Sequence, residues 1–234
     1  MIPATYLSRM GLYDVTIGGV TVRARVIDDP KLVDHALAEL ELTADNPFVG
    51  LDLKTCRDAL GRRRCALLIL CTNTKCLIIQ LDRMIKRCKK NRVPRVLGDI
   101  LSDKRLCFVS LNGFTKRANS LSFRDTGDVL KGAHSCKPSV SPRVFKCKTI
   151  WAVEVGEYAA RVLKNPQLLK CKSLEKLGVE AGVDLNTTAL SDSGGRAKRP
   201  SPKWDSKLFS EEEVVSVMYD AVACYLIVQK LLAS

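Results

Sequence analysis

The sequence is poor in the residues from which most catalytic centres are made. Histidine occurs twice, at His35 and His134, and aromatic residues make up 6% of the 234 positions. Two histidines leave little for a His-based metal site or for a Ser–His or Cys–His nucleophile pair. Ten cysteines stand at 56, 65, 71, 76, 88, 107, 136, 147, 171 and 224, yet none is spaced C-x-x-C. That argues against a zinc site, and buried or half-buried free thiols are expected instead. No run approaches the roughly 20 apolar residues of a membrane span. Met1-Ile2-Pro3-Ala4-Thr5-Tyr6 lacks the basic-then-apolar pattern of a secretory signal. Together these absences imply an intracellular soluble protein, nuclear or cytoplasmic, with no disulfide framework and no membrane partner.

Positive charge, by contrast, is plentiful. Lys and Arg number 38 against 25 Asp and Glu, a net charge of +13. The charge is clustered at Arg62-Arg63-Arg64, from Arg83 to Arg95, at Lys104-Arg105, at Lys116-Arg117 and at Lys198-Arg199. Such density suits a polyanion, most simply a nucleic-acid backbone. A solvated surface that only keeps the protein soluble is the alternative. Sparse aromatics limit base stacking. Phe114 and Phe123 are the best stacking candidates, whereas Trp151 and Trp204 read as packing residues.

Alternating residues predict a hairpin over 13–26, turning through Gly18-Gly19. A helix is expected over 31–42, then strands at 48–54, 65–71 and 75–81. Helices near 81–90 and 94–102 lead to a strand at 107–111. A further helix is expected within 112–127, loop-like chain over 128–148, a strand at 149–153, a helix at 154–163 and another starting at Ser173. Residues 184–203 are rich in Gly, Ser and Pro and read as a flexible basic connector. The final helix, 211–233, opens on Ser210-Glu211-Glu212-Glu213, a favourable cap and dipole start. Its apolar stripe runs from Val214 to Leu232 at helical period, with Asp220 on the edge. No repeat or domain-splitting linker is visible, so a single domain over 1–234 is expected.

One strand poses a chemical question. In Phe48-Val49-Gly50-Leu51-Asp52-Leu53-Lys54, the acid and the base are two residues apart and share a face. An acid and a lysine side by side on a core strand need a reason.

Val49-Gly50-Leu51-Asp52, the apolar strands 67–71 and 76–81, Val93-Pro94-Arg95-Val96-Leu97 through Phe108-Val109, and Phe209 to Ala221 resemble, in order and spacing, the DEDD superfamily of 3′-to-5′ exonucleases. Within that superfamily the sequence looks like the branch of the Werner syndrome exonuclease domain and its plant relatives. The resemblance covers nearly the whole chain. It implies an α/β fold of the ribonuclease H type, a mixed five-stranded sheet flanked by helices.

The resemblance also implies a reaction. Such enzymes hold two divalent cations with four carboxylates, and a tyrosine helps to place the attacking water. Two metals stabilise the entering and leaving oxygens of phosphoryl displacement, and they need several negative charges to bind. Carried over residue by residue, the first acid is Asp52 and the last is Asp220. The second acid's position holds Lys54. The third falls near Lys116, and no Asp or Glu lies between Asp103 and Asp125. The tyrosine's position holds Ser216. Two carboxylates facing Lys54 and Lys116 would be neutral without metal, so Lys54 reads as a built-in substitute for a cation. The alternative is that Lys54 extends its stem to solvent.

The expected function is therefore a nucleic-acid-binding, exonuclease-like domain that has lost hydrolysis. It would bind single strands or 3′ ends of DNA or RNA through Arg62, Arg63, Arg64, Phe114, Lys116, Arg117, Lys198 and Arg199. No metal cofactor is expected. A residual exonuclease is one alternative, with Mg²⁺ or Mn²⁺ on at most Asp52 and Asp220 and a rescuing acid such as Asp58, Asp82 or Asp125. A protein-interaction scaffold on the same fold is another, which leaves a protein partner open.

Overall fold

Between Arg63 and Thr72 the chain reads Arg-Arg-Cys-Ala-Leu-Leu-Ile-Leu-Cys-Thr. An apolar residue at nearly every position is the pattern of a strand buried on both faces. In the computed structural model, which describes residues 10–42, 46–57, 63–87, 94–111, 152–185 and 209–234, that strand lies at the middle of a seven-stranded sheet. The strands are β1 (Leu12–Ile17), β2 (Val20–Ile27), β3 (Phe48–Arg57), β4 (Arg63–Thr72), β5 (Lys75–Gln80), β6 (Cys107–Ser110) and β7 (Ala152–Glu154). Their spatial order is β1-β2-β5-β4-β3-β6-β7.

The sheet is mixed. β3, β4 and β5 form an antiparallel meander, and β6 and β7 join parallel to β3 and β6. The expected count of five strands is corrected to seven, because the N-terminal hairpin belongs to the same sheet. β2 pairs parallel with β5 from Arg23↔Lys75 to Ile27↔Ile79. Without it, β5 would present a row of unpaired backbone groups at the sheet edge.

Helices cover both faces. On one lie a short 3₁₀ turn (Pro30–Leu32), α1 (Val33–Ala38), α2 (Leu81–Arg87) and α3 (Arg95–Leu101). The helix expected over 31–42 is thus shorter, and Pro94 caps α3 rather than opening its first turn. On the other face lie α4 (Val155–Val162), a 3₁₀ segment (Pro166–Lys170), α5 (Leu174–Ala181) and α6 (Glu211–Leu232). Alternation along β4 divides the core between them: Leu68 and Leu70 join the α1–α3 side, Leu67 and Ile69 the α6 side.

α6 is the central packing element. Ser210 accepts from Glu213 N–H while Glu213 reaches back to Ser210 N–H, a complete capping box. From Val214 to Leu231 almost every side chain is buried. It is the one helix among the described residues long and apolar enough to cross a membrane, but 78% of its most apolar window is buried within the protein. Tyr13 OH donates to Phe209 O (3.0 Å), and Asn46 Nδ2 donates to Tyr225 OH (2.7 Å) while accepting from Gln229. These bonds fix both ends of α6 against the sheet.

Gly50 sets how closely α6 approaches β3. A Cβ at Gly50 would lie 2.1 Å from Ala221 O and 3.2 Å from Tyr225 Cβ. Only a glycine admits the helix backbone there. The contact places the next inward-facing residues of β3, Asp52 and Lys54, beside the preceding turn of α6.

Candidate nucleic-acid site on the β3–α6 face

Asp52 and Lys54 project from β3 toward α6, paired across the ladder with Ile69 and Leu67 of β4. A register shift follows immediately, between Lys54 and Thr55. Bulges of this kind bend a strand and end its regular pairing beside functional sites. Lys54 is the last inward residue before that break.

The lysine does not extend to solvent. Its Nζ lies 2.6 Å from Asp52 Oδ2 and donates to Asp220 Oδ2 at 2.8 Å. All three side chains are about one-fifth exposed: 18% for Lys54 and 21% for each aspartate. Asp52 Oδ1 accepts from Leu53 N–H at 2.7 Å. Asp52 Oδ2 meets no donor with hydrogen-bond geometry, so its contact with Lys54 is one of charge rather than of an aligned bond.

Burial pushes the Asp52 carboxyl above its ordinary value; the Lys54 ammonium opposes that rise and Asp220 adds to it. For Lys54, burial acts to lower the value, but Asp52 and then Asp220 outweigh it and hold the ammonium charged. Behind the cluster, burial raises the Cys224 thiol well above its usual range. The cluster is thus one ammonium clamped between two carboxylates.

Ser216, one turn before Asp220, is 4% exposed and so buried in the packed core. Tyr219 is also buried and donates to Leu185 O at 3.4 Å. Leu185, expected in the connector, is itself buried. Arg63 and Arg64 stand at the start of β4. Arg62, Phe114, Lys116, Arg117, Lys198 and Arg199 lie outside the described residues, as do Asp58, Asp125, Trp151 and Trp204. The bulge after Lys54 and the approach at Gly50 were missed by sequence reasoning. Gly50 alone left a signal, as a glycine inside a strand pattern.

Several solved structures share this architecture. The catalytic core of RRP6 from Trypanosoma brucei matches 99% of the chain and 53% of its own, with a TM-score of 0.55 and 12% identity. RNase D from the same organism matches over 90% and 65%, with a TM-score of 0.51 and 12% identity. The shared fold is an α/β fold of the ribonuclease H type, a mixed sheet flanked by helices. The EXD2 exonuclease domain also matches, over 90% of the chain and 89% of its own at 18% identity, but superposes less well (TM-score 0.44). No protein-family model and no curated protein sequence matches the chain.

The resemblance drawn from the sequence implies two divalent cations. The donor set tests whether these residues suit them. Among the described residues no group of three or more His, Cys, Asp and Glu is arranged to hold a metal. The two carboxylates that do converge already share the Lys54 ammonium. A dication entering between them would meet a fixed positive charge at a few ångströms. The described residues therefore do not fit a two-metal centre.

Proposed function

We propose that this chain is a nucleic-acid-binding domain built on a 3′-to-5′ exonuclease fold, in which hydrolysis has been lost. The observation that carries the reading is the position of Lys54 Nζ, within 2.8 Å of both Asp52 and Asp220. In our reading the ammonium takes the electrostatic role that a divalent ion has in two-metal phosphoryl transfer. It permanently offsets one of the two carboxylate charges, but it cannot activate water or coordinate a leaving oxygen. Binding of the phosphate backbone needs no metal and so outlives the loss of chemistry. The motif around Val49-Gly50-Leu51-Asp52 supports placing the chain near the Werner syndrome exonuclease branch and its plant relatives.

The ligand we assign is single-stranded nucleic acid or a 3′ end. The clustered charge of +13 supports this, with Arg62, Arg63, Arg64, Lys116, Arg117, Lys198 and Arg199 as backbone contacts and Phe114 as a stacking residue.

The test is incubation of the purified protein with end-labelled single-stranded and 3′-recessed DNA and RNA in Mg²⁺ and in Mn²⁺. An Asp52→Ala/Asp220→Ala variant runs alongside as the control for contaminating nuclease. Retention of the labelled strand without shortening is the expected result. Stepwise 3′ shortening that disappears in the double variant would overturn the loss of hydrolysis. Failure to retain any of the ligands at low salt would overturn nucleic-acid binding and favour a scaffold for protein partners.

A further inference from the structure

Cys71 and Cys76 take no part in the function proposed above. They are direct partners across the β4–β5 ladder, one pair in from Thr72 and Lys75, which flank the two-residue turn Asn73-Thr74. Pair types alternate along an antiparallel ladder. The pair next to the one that closes a two-residue turn is the non-hydrogen-bonded type, with Cα atoms about 4.5 Å apart. A disulfide is sterically allowed at Cα separations of roughly 4.4–6.8 Å.

Both side chains project to the α6 side of the sheet. Their sulfurs stand 2.6 Å apart. Each residue is 2% exposed, and Cys224 of α6, fully buried, belongs to the same packed cluster. Two thiols held in register five residues apart, with matching direction and no intervening side chain, are more than a chance pair of buried cysteines.

We infer that Cys71 and Cys76 form a redox modification site, closing to a disulfide that staples the β4–β5 hairpin beneath α6. The oxidant is a low-molecular-weight disulfide such as oxidised glutathione. The thiolate of one cysteine attacks that disulfide, releases one small thiol and leaves a mixed disulfide. The thiolate of the other then attacks the protein sulfur and releases the second small thiol. Two protein thiols are oxidised by two electrons, one small disulfide is reduced to two thiols, and the two protons pass to the leaving thiolates.

The order of events follows from sequence separation and burial. The hairpin is local and needs only a two-residue turn, whereas α6 comes from the far end of the chain. Once α6 is packed, burial pushes the Cys71 thiol well above its ordinary range and the pair no longer meets solvent. Oxidation therefore belongs to the stage before α6 docks, and the finished bond is then sealed from reductants.

The full chain, unfolded in reductant and desalted, is refolded in a mixture of oxidised and reduced glutathione. It is then alkylated under denaturing conditions and mapped by mass spectrometry without reduction. The expected result is that the peptides carrying Cys71 and Cys76 are joined, with the mass of two hydrogens lost and neither sulfur alkylated. In the folded protein dithiothreitol should open the bond roughly tenfold more slowly, or slower still, than in urea, because α6 must lift first. Oxidation should also raise Tm in the wild type but not in Cys71→Ala/Cys76→Ala. Alkylation of both thiols, glutathione left on either one, or equal reduction rates with and without urea would each overturn the inference. If the double variant does not fold, the peptide map and the two reduction rates of the wild type still decide it.

Discussion

Removing the Lys54 ammonium leaves Asp52 and Asp220 without the charge that both share. Breaking a fully buried pair costs about 3–5 kcal/mol. These side chains keep about one-fifth of their exposure, so Lys54→Met is expected to cost about 1–3 kcal/mol at neutral pH. Urea titrations at neutral and mildly acidic pH check this, and the deficit should shrink as the carboxylates take up protons. The pH dependence of the wild type has its own sign. The Asp52 carboxyl is raised above the ordinary 3.8, so the folded state binds its proton more readily than the unfolded chain does. Its contribution is full below 3.8 and is lost as pH rises through the folded-state value. Asp52→Asn should abolish that decline in urea midpoints measured stepwise over this interval. Lys54 is raised above 10.5, so its contribution persists below that value and is lost only in stronger alkali.

At the scale of the element, α6 depends on contact with β3 and on its own first turn. Gly50→Ala would place a methyl 2.1 Å from Ala221 O, a backbone atom of a helix fixed at both ends. Overpacking of this kind costs about 1–3 kcal/mol where the surroundings can shift. Here they cannot shift cheaply, so the loss should sit at or beyond the upper end. Thermal melts followed by circular dichroism check it, or soluble yield if the variant does not fold. Ser210→Ala removes one half of the capping box and should cost about 1 kcal/mol by the same melts. The elements themselves were largely legible. β4 and β5 announce themselves as continuous apolar runs, and the Ser210 start of α6 is a local signal. The hairpin was legible as a hairpin, but its place in the sheet was not. Pairing of β2 with β5 joins residues some fifty positions apart, and no local pattern records it.

For the whole molecule, the distribution of charge carries the main prediction. Twenty of the 38 Lys and Arg and nineteen of the 25 Asp and Glu lie in the described residues. The framework is thus almost balanced, and several of its charges form ion pairs, as in Arg23–Asp14, Arg25–Glu39 and Arg87–Asp28. Nearly all of the +13 belongs to the remaining segments, above all 112–151 and 186–208. If those segments hold nucleic acid, Lys116→Glu/Arg117→Glu should weaken binding uniformly across sequences. It should also flatten the dependence of log K on log salt by about one for each phosphate no longer neutralised. Fluorescence anisotropy over a salt series measures both. An unchanged slope would remove Lys116 and Arg117 from the interface.

By itself the sequence determined most of the strands and helices among the described residues, the excess of positive charge, and the fact that Asp52 and Lys54 share a face. Each follows from local periodicity or from simple counting. That Lys54 turns inward rather than to solvent was decided by the tertiary structure. Gly50 lets α6 approach closely enough to bring Asp220 within 2.8 Å of the ammonium. Asp220 lies 166 residues from Lys54 in the chain. Only packing of the last helix on the central strand can make one charge cluster from groups so far apart in sequence.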